Sequence, residues 1–483
     1  NNNPKNPIIG NRSFGEDPIE VTAKATAFIK GMEGVGTSSS IKHFPGHGNT
    51  DQDSHLGLPL ISGSRADLDK IELYPYKQIL NKNITSAVMT SHLHVPAIDN
   101  TPKMPSSLSY KTITGVLKDE YNFEGLIYTD ALNMKGATQG LQPGEADLKA
   151  FLAGTDILLI PQNIIASQKL FLEAYNKGEL SEERLAHSVK KILMAKYKAG
   201  LNNFKAVEIK HLYEDLNTPQ DHQLYKQLME EAVTLVKNKE NAIPFTEIKN
   251  KKFAYIALGD DADTNFLPTL KDYSNVKQIK ANDVASYKSQ AQEFTDLIVV
   301  LHKKNNNPWQ SYKFSKSEIN IVQELAKSHK VHLVVFTSPY SLLDLDLSDL
   351  ESILVAYQNH PSTQQIAAQI LFGTLAAKGS LPVGISEEYP VGHGIYTDPQ
   401  ARLGFSSPED AGLNSKVLNK IDNLVNQGLK QKMMPGAQVL VARDGKVVYH
   451  KSFGRHEYTS SSKKVGNTDV YDLASLTKIL ATL

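Results

Sequence analysis

Short apolar runs alternate with amphipathic stretches along the first part of the chain. Four apolar runs have the length of buried strands, at 37–43, 86–89, 125–130 and 156–160. Four stretches with the helical spacing of apolar residues separate or follow them, at 66–80, 112–117, 164–175 and 181–197. Pro75 predicts a break in the first of these helices. Repeated strand–helix units of this kind predict a parallel sheet with helices packed outside it.

A second region of alternating strands and helices follows. Its apolar runs lie at 253–257, 297–301, 331–336 and 353–356. A charged helix over 219–231 precedes them, with Thr218 as its predicted cap. In the helix after the last strand, Ser362 is the predicted cap and Gly373 the predicted end. The pattern predicts a second α/β unit, in which we find no cluster of catalytic side chains.

A third pattern begins after a stretch at 387–407 that contains several prolines and glycines. An amphipathic helix is predicted over 415–429, and two alternating runs then flank Asp444 and Gly445. An Asp-Gly pair between alternating runs is a strong signal for a β-hairpin. The helix and the hairpin predict a third folded unit.

Composition and charge exclude several classes of protein. Lys plus Arg and Asp plus Glu are equal at 52 each, so no basic excess favours nucleic acid. The chain has no cysteine, which excludes disulfides and thiolate metal sites. No apolar run reaches the ~18 residues of a membrane-spanning helix. Because the chain starts without methionine and stops inside an apolar helical pattern, we expect both ends to be cut.

The stretch KHFPGHGNTDQDSH, from Lys42 to His55, holds the most candidate chemistry. Proline and glycine break regular structure after the first predicted strand, which predicts a polar loop, a common place for catalytic groups. Asp53 and His55 are spaced so that a carboxylate can hold one imidazole nitrogen while the other transfers a proton. Three histidines also allow a zinc site, but no HExxH helix or cysteine ligand accompanies them, which favours proton transfer.

A second stretch, GLIYTDALNMKGA, places Asp130 directly after the third predicted strand. An acid at the carboxyl tip of a buried strand is where α/β barrels keep catalytic carboxylates. From the spacing alone, a helix N-cap is an equally good interpretation of Asp130.

Together the two stretches resemble glycoside hydrolase family 3, and in particular its β-N-acetylglucosaminidase branch. KHFPGHG-x-T-x-x-D-S-H is similar to the signature of that branch, and IYTDALNMKGA is similar to the family's nucleophile segment. The resemblance implies a (β/α)8 barrel, of which the four predicted strands would form the second half. It also implies that Asp130 is the nucleophile, that His55 is the acid/base and that Asp53 orients His55.

The same resemblance indicates which residues contact the substrate. Lys42 and His43 would hydrogen-bond sugar hydroxyls, and Arg12, in the loop at the start of the chain, would reach the sugar. Without the resemblance, Arg12 and Lys42 would be interpreted as surface charges and His43 as a packing residue. His47 is expected to shape the loop. Neither a metal nor a cofactor is expected.

Near the end of the chain, Ser475 and Lys478 form a Ser-x-x-Lys pair. At a helix start this spacing places the hydroxyl and the amine one turn apart, so that the amine can help to activate the serine. With PGAQVLVARDGKVVYHKSFG upstream, the order resembles the start of the serine β-lactamase and penicillin-binding-protein-like superfamily. The later elements of that superfamily do not follow, so this possible second site is expected to be incomplete.

These patterns and resemblances predict an α/β fold class built from successive units. The predicted units are a partial family 3 barrel domain over 1–215, a family 3 C-terminal α/β sandwich over 232–386, a linker over 387–407 and the start of a β-lactamase-like α+β domain over 408–483.

The function that the resemblance implies is a retaining exo-β-N-acetylglucosaminidase, which removes terminal β-linked N-acetylglucosamine from peptidoglycan-type saccharides. The alternatives are a bifunctional protein with a serine acyl hydrolase or peptidase-like module, a carbohydrate-binding pseudoenzyme, and a phosphorylase. An N-acetylglucosamine-containing saccharide is the expected partner, without nucleic acid and without a transmembrane segment. The joining of two wall-related modules favours a bacterial cell envelope or periplasm, with the cytoplasm as the alternative.

Overall fold

The computed structural model describes residues 2–6, 8–260, 263–304 and 312–482. Among these residues, no helix combines the length and the apolar character needed to cross a bilayer. In chain order, the elements of the first region are a 3₁₀ turn (Gly10–Arg12), α1 (Pro18–Gly34), β1 (Ser40–Phe44), α2 (Arg65–Lys70), α3 (Leu73–Leu80), β2 (Ala87–Thr90), a 3₁₀ turn (Ser106–Leu108), a π-helix (Lys111–Glu120), β3 (Leu126–Thr129), α4 (Lys135–Thr138), α5 (Glu145–Ala153), α6 (Ile164–Asn176), α7 (Glu182–Lys198), a 3₁₀ turn (Leu201–Asn203) and α8 (Leu212–Leu216).

Three parallel strands form the sheet of this region, in the order β1-β2-β3. Ser40 pairs with Ala87 in β2, and Val88 of β2 pairs with Ile127 in β3. Since the strands run in the same direction, their carboxyl ends meet at one edge, where catalytic groups of α/β barrels lie. The predicted parallel sheet with flanking helices is confirmed.

The fourth predicted strand, at 156–160, is present only as an isolated bridge between Tyr128 and Ile157. The amide of Leu159 donates to the hydroxyl of Thr129 at 3.1 Å rather than to a backbone carbonyl. Because a side chain replaces the backbone acceptor, the ladder stops after one bridge. The prediction of a strand over these residues is therefore wrong, although the segment does run beside β3.

Helix ends in this region follow local signals in the sequence. Asp17 caps α1 by accepting hydrogen bonds from two backbone amides, with Pro18 in the first turn. The break predicted at Pro75 is wrong, because α2 and α3 separate at 71–72 and Pro75 lies in the first turn of α3. A proline is tolerated there because the first amides of a helix have no partner within it.

The second region contains a six-stranded sheet in the order β4-β9-β8-β7-β5-β6, in which only β4 is antiparallel to its neighbour. The elements are α9 (Pro219–Ala232), β4 (Thr234–Asn238), 3₁₀ turns (Lys239–Asn241 and Ile248–Asn250), β5 (Phe253–Gly259), α10 (Phe266–Tyr273), β6 (Val276–Gln278), α11 (Val284–Ala291), β7 (Asp296–His302), α12 (Lys316–Ala326), β8 (Lys330–Phe336), a 3₁₀ turn (Pro339–Leu342), β9 (Ser352–Val355) and α13 (Pro361–Leu371). Alternate residues of the central strands enter two buried cores on opposite faces, as expected for parallel strands covered on both sides.

Both edges of this sheet are short or covered. At one edge β6 has three residues, with Lys277 in the middle. At the other edge, the chain after α13 crosses β4, where the amide of Ile395 donates to the carbonyl of Leu235 at 2.8 Å. The His393 imidazole also contacts the Val236 carbonyl, with Nε2 at 2.8 Å.

Helix α13 begins two residues earlier than its sequence predicts. His360, rather than Ser362, is the cap, and its Nδ1 accepts from the Ser362 amide at 3.2 Å. Pro361 then takes the first helical position, which its fixed φ suits. Gly373 follows the helix with φ of +75°, and the predicted end is confirmed.

A buried ionic cluster lies among the strands of this sheet. Asp296 Oδ1 accepts from Lys251 Nζ at 2.7 Å and from His332 Nε2 at 3.1 Å, and Oδ2 accepts from the Thr295 hydroxyl. His332 Nδ1 contacts the Ser352 hydroxyl at 2.9 Å. Burial alone would raise the pKa of Asp296, but these hydrogen bonds hold it well below its usual range. Burial lowers the pKa of His332, which keeps its imidazole neutral.

The lowered pKa of His332 predicts that the fold loses stability as the pH falls from 7.5 to 5.5. Below the ordinary histidine value of about 6.5, the unfolded chain binds a proton that folded His332 does not, which favours unfolding by up to about 1.4 kcal/mol per pH unit. Urea denaturation at the two pH values measures the free energy of unfolding. Between pH 7.5 and 5.5 this free energy should fall less in His332→Gln than in the wild type. His329→Gln, at a half-buried neighbour outside the cluster, is the control and should keep the wild-type loss. Equal losses in all three proteins would contradict the prediction.

The third region consists of β10 (Gly404–Phe405), a 3₁₀ turn (Glu409–Ala411), α14 (Ser415–Leu418), α15 (Lys420–Lys430), β11 (Gly436–Arg443), β12 (Lys446–Gly454), a 3₁₀ turn (Ala474–Leu476) and α16 (Thr477–Thr482). The helix predicted over 415–429 is split in two at Asn419. The predicted hairpin is confirmed, and Asp444 and Gly445 both have positive φ, as a type I′ turn requires.

Several contacts join the third region to the second. Arg402, just before β10, donates to the carbonyls of Phe245 and Phe372 in the second region, and β10 itself pairs with β12 inside the third region. Lys226 in α9 forms a buried ion pair with Asp410 at 2.9 Å. The stretch predicted as a linker therefore packs against both regions, while the limits of the predicted domains stay a prediction.

Candidate active site

Asp130 and His43 meet at the carboxyl edge of the first sheet. They lie at the ends of β3 and β1, and His43 Nε2 is 3.9 Å from Asp130 Oδ2. The other carboxylate oxygen, Oδ1, accepts from the amide of Ala131 at 2.8 Å. Burial lowers the pKa of His43, so its imidazole is neutral at neutral pH. The site thus presents a carboxylate with one oxygen fixed by backbone and the other facing an uncharged imidazole.

Asp53 and His55 form the contact that their spacing predicts. His55 Nδ1 is 2.7 Å from Asp53 Oδ1, and the same oxygen accepts from the His55 amide. Because the carboxylate is an acceptor, Nδ1 carries the proton of the neutral ring, which leaves proton transfer to Nε2. The His55 side chain is 53% exposed, so a substrate can reach it.

His47 organises the loop between these two pairs. Its ring is buried, with Nδ1 at 2.7 Å from the Thr50 hydroxyl and Nε2 at 3.2 Å from the Ser54 hydroxyl. The buried amide of Asn6 donates to the His47 carbonyl at 2.7 Å, which ties the start of the chain to the loop. Burial lowers the pKa of His47, consistent with a structural imidazole. These contacts fit the expected shaping role of His47, and Asn6 is a partner that sequence patterns do not indicate.

A cavity of about 540 Å³ opens beside this edge of the sheet. Arg12, Lys42 and His43 are among the residues that line it, so the three predicted substrate contacts border one space. The Arg12 side chain also donates to the Ile8 carbonyl from Nε and Nη2, at 3.1 and 2.8 Å. The rest of the wall is largely apolar and comes from the first loop, α1, β1, the loop after β1 and α3.

Gly136 brings the two motif segments into direct contact. Its amide donates to the Ser54 carbonyl at 3.2 Å. A Cβ added at Gly136 would lie 2.8 Å from that carbonyl oxygen and 2.7 Å from the carbonyl oxygen of Gly57. Since both oxygens belong to backbone, neither can move aside cheaply. The absence of a side chain therefore lets the segment after Asp130 pack against the loop of His55.

We expect Gly136→Ala to destabilise the fold by about 1–3 kcal/mol, because the new methyl group overlaps two carbonyl oxygens. The displaced loop should also lower kcat in any reaction at this site. Gly31→Ala in α1 is a matched control, since its Cβ would meet nothing within 4 Å and should be neutral or stabilising. Chemical denaturation of the two variants checks this, and equal stability of both would contradict it.

His92 is a site neighbour that the sequence patterns did not single out. It lies two residues after β2 and is fully buried. Its Nε2 contacts the carbonyl of Ala131, the residue after Asp130, at 3.0 Å. The one feature of the sequence that could have indicated His92 is its place in a polar loop directly after a predicted strand.

Ser475 and Lys478 are exposed residues of the third region. Lys478 Nζ is 3.5 Å from Ser475 Oγ, with the serine in the 3₁₀ turn that leads into α16. The spacing therefore brings the two groups together as predicted, at the outer limit of a hydrogen bond.

A metal centre is not evident in the ranges that the structure describes, where no group of three or more metal-ligating side chains is arranged to hold an ion. The three histidines of the loop instead have other partners. His43 faces Asp130, His47 contacts Thr50 and Ser54, and His55 contacts Asp53.

The parallel strands of the first sheet carry a carboxylate at their carboxyl edge and a carboxylate–imidazole pair on the loop after β1. This arrangement is the one found in α/β-barrel enzyme domains. Sequence comparison then identifies two domains of the chain. Residues 1–195 match the glycosyl hydrolase family 3 N-terminal domain, and residues 421–483 match the family described as β-lactamase. The chain thus carries a glycoside hydrolase family 3 domain and a β-lactamase-like domain, and both predicted resemblances are confirmed.

Individual relatives agree with this assignment. The chain is 33% identical over 278 residues to β-hexosaminidase A of Pseudoalteromonas piscicida, and 39% identical over 160 residues to a β-hexosaminidase of Actinobacillus pleuropneumoniae serotype 3. These alignments cover 54% and 32% of the chain, and the chain spans about half of each relative, 46% in both. A family 3 β-N-acetylglucosaminidase from Paenibacillus sp. str. FPU-7 has a similar structure, with a TM-score of 0.66, 26% identity, and coverage of 80% of this chain and 74% of that one. The predicted α/β class is confirmed.

Proposed function

We propose that the protein is a retaining exo-β-N-acetylglucosaminidase acting on terminal β-linked N-acetylglucosamine. The observation that carries the proposal is the placement of Asp130 at a strand tip, with the Asp53–His55 pair on a loop packed against its segment. The names of the relatives, β-hexosaminidase and β-N-acetylglucosaminidase, support the substrate class. Saccharides derived from bacterial peptidoglycan are the proposed natural substrates, and the cell envelope is the proposed location.

In the first step, Asp130 attacks the anomeric carbon while the bond to the leaving oxygen breaks. Oδ1 is held by the Ala131 amide, so Oδ2 is the oxygen that forms the glycosyl ester. His55 enters this step as an imidazolium, whose Nδ1–H is held by Asp53, and its Nε2 donates the other ring proton to the leaving oxygen, which leaves the ring neutral. This acid is a histidine, whereas most retaining glycosidases use a second carboxylate.

In the second step, His55 is neutral and accepts a proton from water. The water oxygen bonds to the anomeric carbon, the glycosyl ester breaks, and the Asp130 carboxylate returns to its initial state. Two displacements at one carbon give net retention of the β configuration. His43, Lys42 and Arg12, which line the cavity, hold sugar hydroxyls during both steps.

The proposal is tested by incubating the full-length protein with a chromogenic β-N-acetylglucosaminide and following the product by NMR. We expect release of the phenol and initial formation of the β-anomer of N-acetylglucosamine. Initial formation of the α-anomer would overturn the retaining mechanism. Sugar binding without turnover would favour a carbohydrate-binding pseudoenzyme, and a glycosyl phosphate formed only with added phosphate would favour a phosphorylase.

A second candidate function rests on the contact between Ser475 and Lys478 in the β-lactamase-like domain. The Lys478 amine would remove the proton of Ser475 as the serine oxygen bonds to an acyl carbon. The bond from that carbon to its leaving group then breaks, and the proton passes to the leaving group. A fluorescent β-lactam that acylates active serines should label the full-length protein at Ser475. Ser475→Ala should abolish the label, and a label that persists in this variant would place the nucleophile elsewhere.

A further inference from the structure

His92 is buried between two polar partners at the carboxyl edge of the first sheet. None of its surface is exposed, its Nε2 is 3.0 Å from the Ala131 carbonyl oxygen, and its Nδ1 is 2.7 Å from the Ser107 hydroxyl oxygen. A carbonyl oxygen only accepts, so Nε2 carries the ring proton and Nδ1 accepts from Ser107. Both ring nitrogens are therefore committed to fixed partners, and the imidazole has one tautomer and one orientation.

The backbone next to Asp130 is held from several sides. The amide of Asp130 donates to the Thr90 carbonyl at 2.8 Å, and the amide of Leu132 donates to the Leu159 carbonyl at 2.8 Å. The carbonyl that His92 binds belongs to the same peptide group as that Leu132 amide. One peptide group is thus fixed at its oxygen by a side chain and at its nitrogen by backbone.

The peptide group between Ala131 and Leu132 comes directly after the Ala131 amide, which orients the Asp130 carboxylate. Ala131 donates its amide to Asp130 Oδ1 and accepts from His92 at its carbonyl. A shift of the Ala131 carbonyl would rotate this residue and move its amide. The Asp130 carboxylate, which is bound to that amide, would then move as well. A misplacement of about 1 Å in a reacting group can lower a rate about a hundredfold.

We propose that His92 is a positioning residue for the Asp130 carboxylate, acting through the Ala131 peptide with Ser107 as its partner; this rests on the proposed glycosidase function. His92 does not touch the reacting atoms in this role. It fixes the direction from which Oδ2 meets the anomeric carbon, while Lys42, His43 and Arg12 bind the sugar independently. Loss of His92 should therefore affect kcat much more than KM.

The test measures kcat and KM on a chromogenic β-N-acetylglucosaminide with full-length protein, per folded molecule as judged by thermal unfolding. His92→Phe keeps a ring and removes both hydrogen bonds, and we expect a roughly tenfold to hundredfold fall in kcat with KM nearly unchanged. His92→Gln retains an N–H donor for the Ala131 carbonyl and should recover most of that loss. His94→Phe, in the same loop and with a long 3.4 Å contact to Met104, is the control and should keep kcat.

A merely structural role would lower the melting temperature of His92→Phe and leave kcat per folded molecule unchanged, which would overturn the proposal. An equal fall in His92→Phe and His92→Gln would also overturn it, because the donor would then be irrelevant. If His92→Phe does not fold, Ser107→Ala is the deciding variant. It removes the hydroxyl that His92 Nδ1 contacts, so the tautomer of the ring is no longer fixed from that side, and kcat should fall to a smaller extent. An unchanged kcat in Ser107→Ala would overturn the proposal.

Two further proteins in the same assay separate this inference from the proposed function. A wild type without turnover, or Asp130→Asn with normal turnover, would overturn the glycosidase assignment and His92's role with it. Turnover that is lost in Asp130→Asn but kept in His92→Phe would overturn only the role of His92.

Discussion

Asp130→Asn is expected to lower glycosidase turnover of the full-length protein by roughly four orders of magnitude or more. An amide cannot act as the carboxylate that forms the glycosyl ester. Asparagine has nearly the same shape and can still accept from the Ala131 amide, so folding should be preserved. Steady-state assays on an activated β-N-acetylglucosaminide, with thermal unfolding in parallel, measure both properties.

Asp119→Asn provides the matched control for this variant. Asp119 is an exposed carboxylate in the π-helix of the same region, so the same change of charge should leave turnover unaffected. Near-normal turnover in purified Asp130→Asn would remove Asp130 from the nucleophile role. A large loss in both variants would point instead to a general effect of charge.

His55→Ala is expected to show a loss that depends on the leaving group. Poor leaving groups need protonation, so their rates should fall by about 10²–10⁴-fold, whereas an activated phenol departs more readily without an acid. With such a phenol, hydrolysis of the glycosyl-enzyme becomes slow, because no base activates water. Added azide should then raise turnover, since it attacks the anomeric carbon without needing a base.

Asp53→Ala refines this result. The variant removes the partner that orients His55 Nδ1 and leaves the proton carrier in place, so the same dependence on leaving group should appear more weakly. Equal losses across the leaving-group series, together with no response to azide, would show that His55 has a structural role.

Local signals in the sequence predicted local structure well. The Thr218 cap and the Asp444–Gly445 turn depend on groups within three residues of each other, so the contacts that form them are visible in the sequence. The contact between Asp53 and His55 belongs to the same class. Predictions erred where a local preference competed with a neighbour in space, as in the bridge beside β3, where the Thr129 hydroxyl replaces a backbone acceptor.

The supporting contacts of the site could not be predicted in this way. His92 meets Ala131 and Gly136 meets Ser54 across different strand–helix units, and neither contact leaves a periodic trace in the sequence. The motifs could therefore indicate which groups carry the chemistry, but not the side chain that steadies Asp130 or the position where a missing side chain permits close packing.

The short and covered edges of the six-stranded sheet also have a consequence for how copies of the protein behave together. A free strand edge is a template on which another molecule can add a strand, which is a common route to aggregation. In the described residues, β6 offers three residues with a lysine at its centre, and the segment around Ile395 already occupies bonding positions along β4. This sheet, with a buried core on each face, is therefore protected against strand exchange between copies and should not drive aggregation at high concentration.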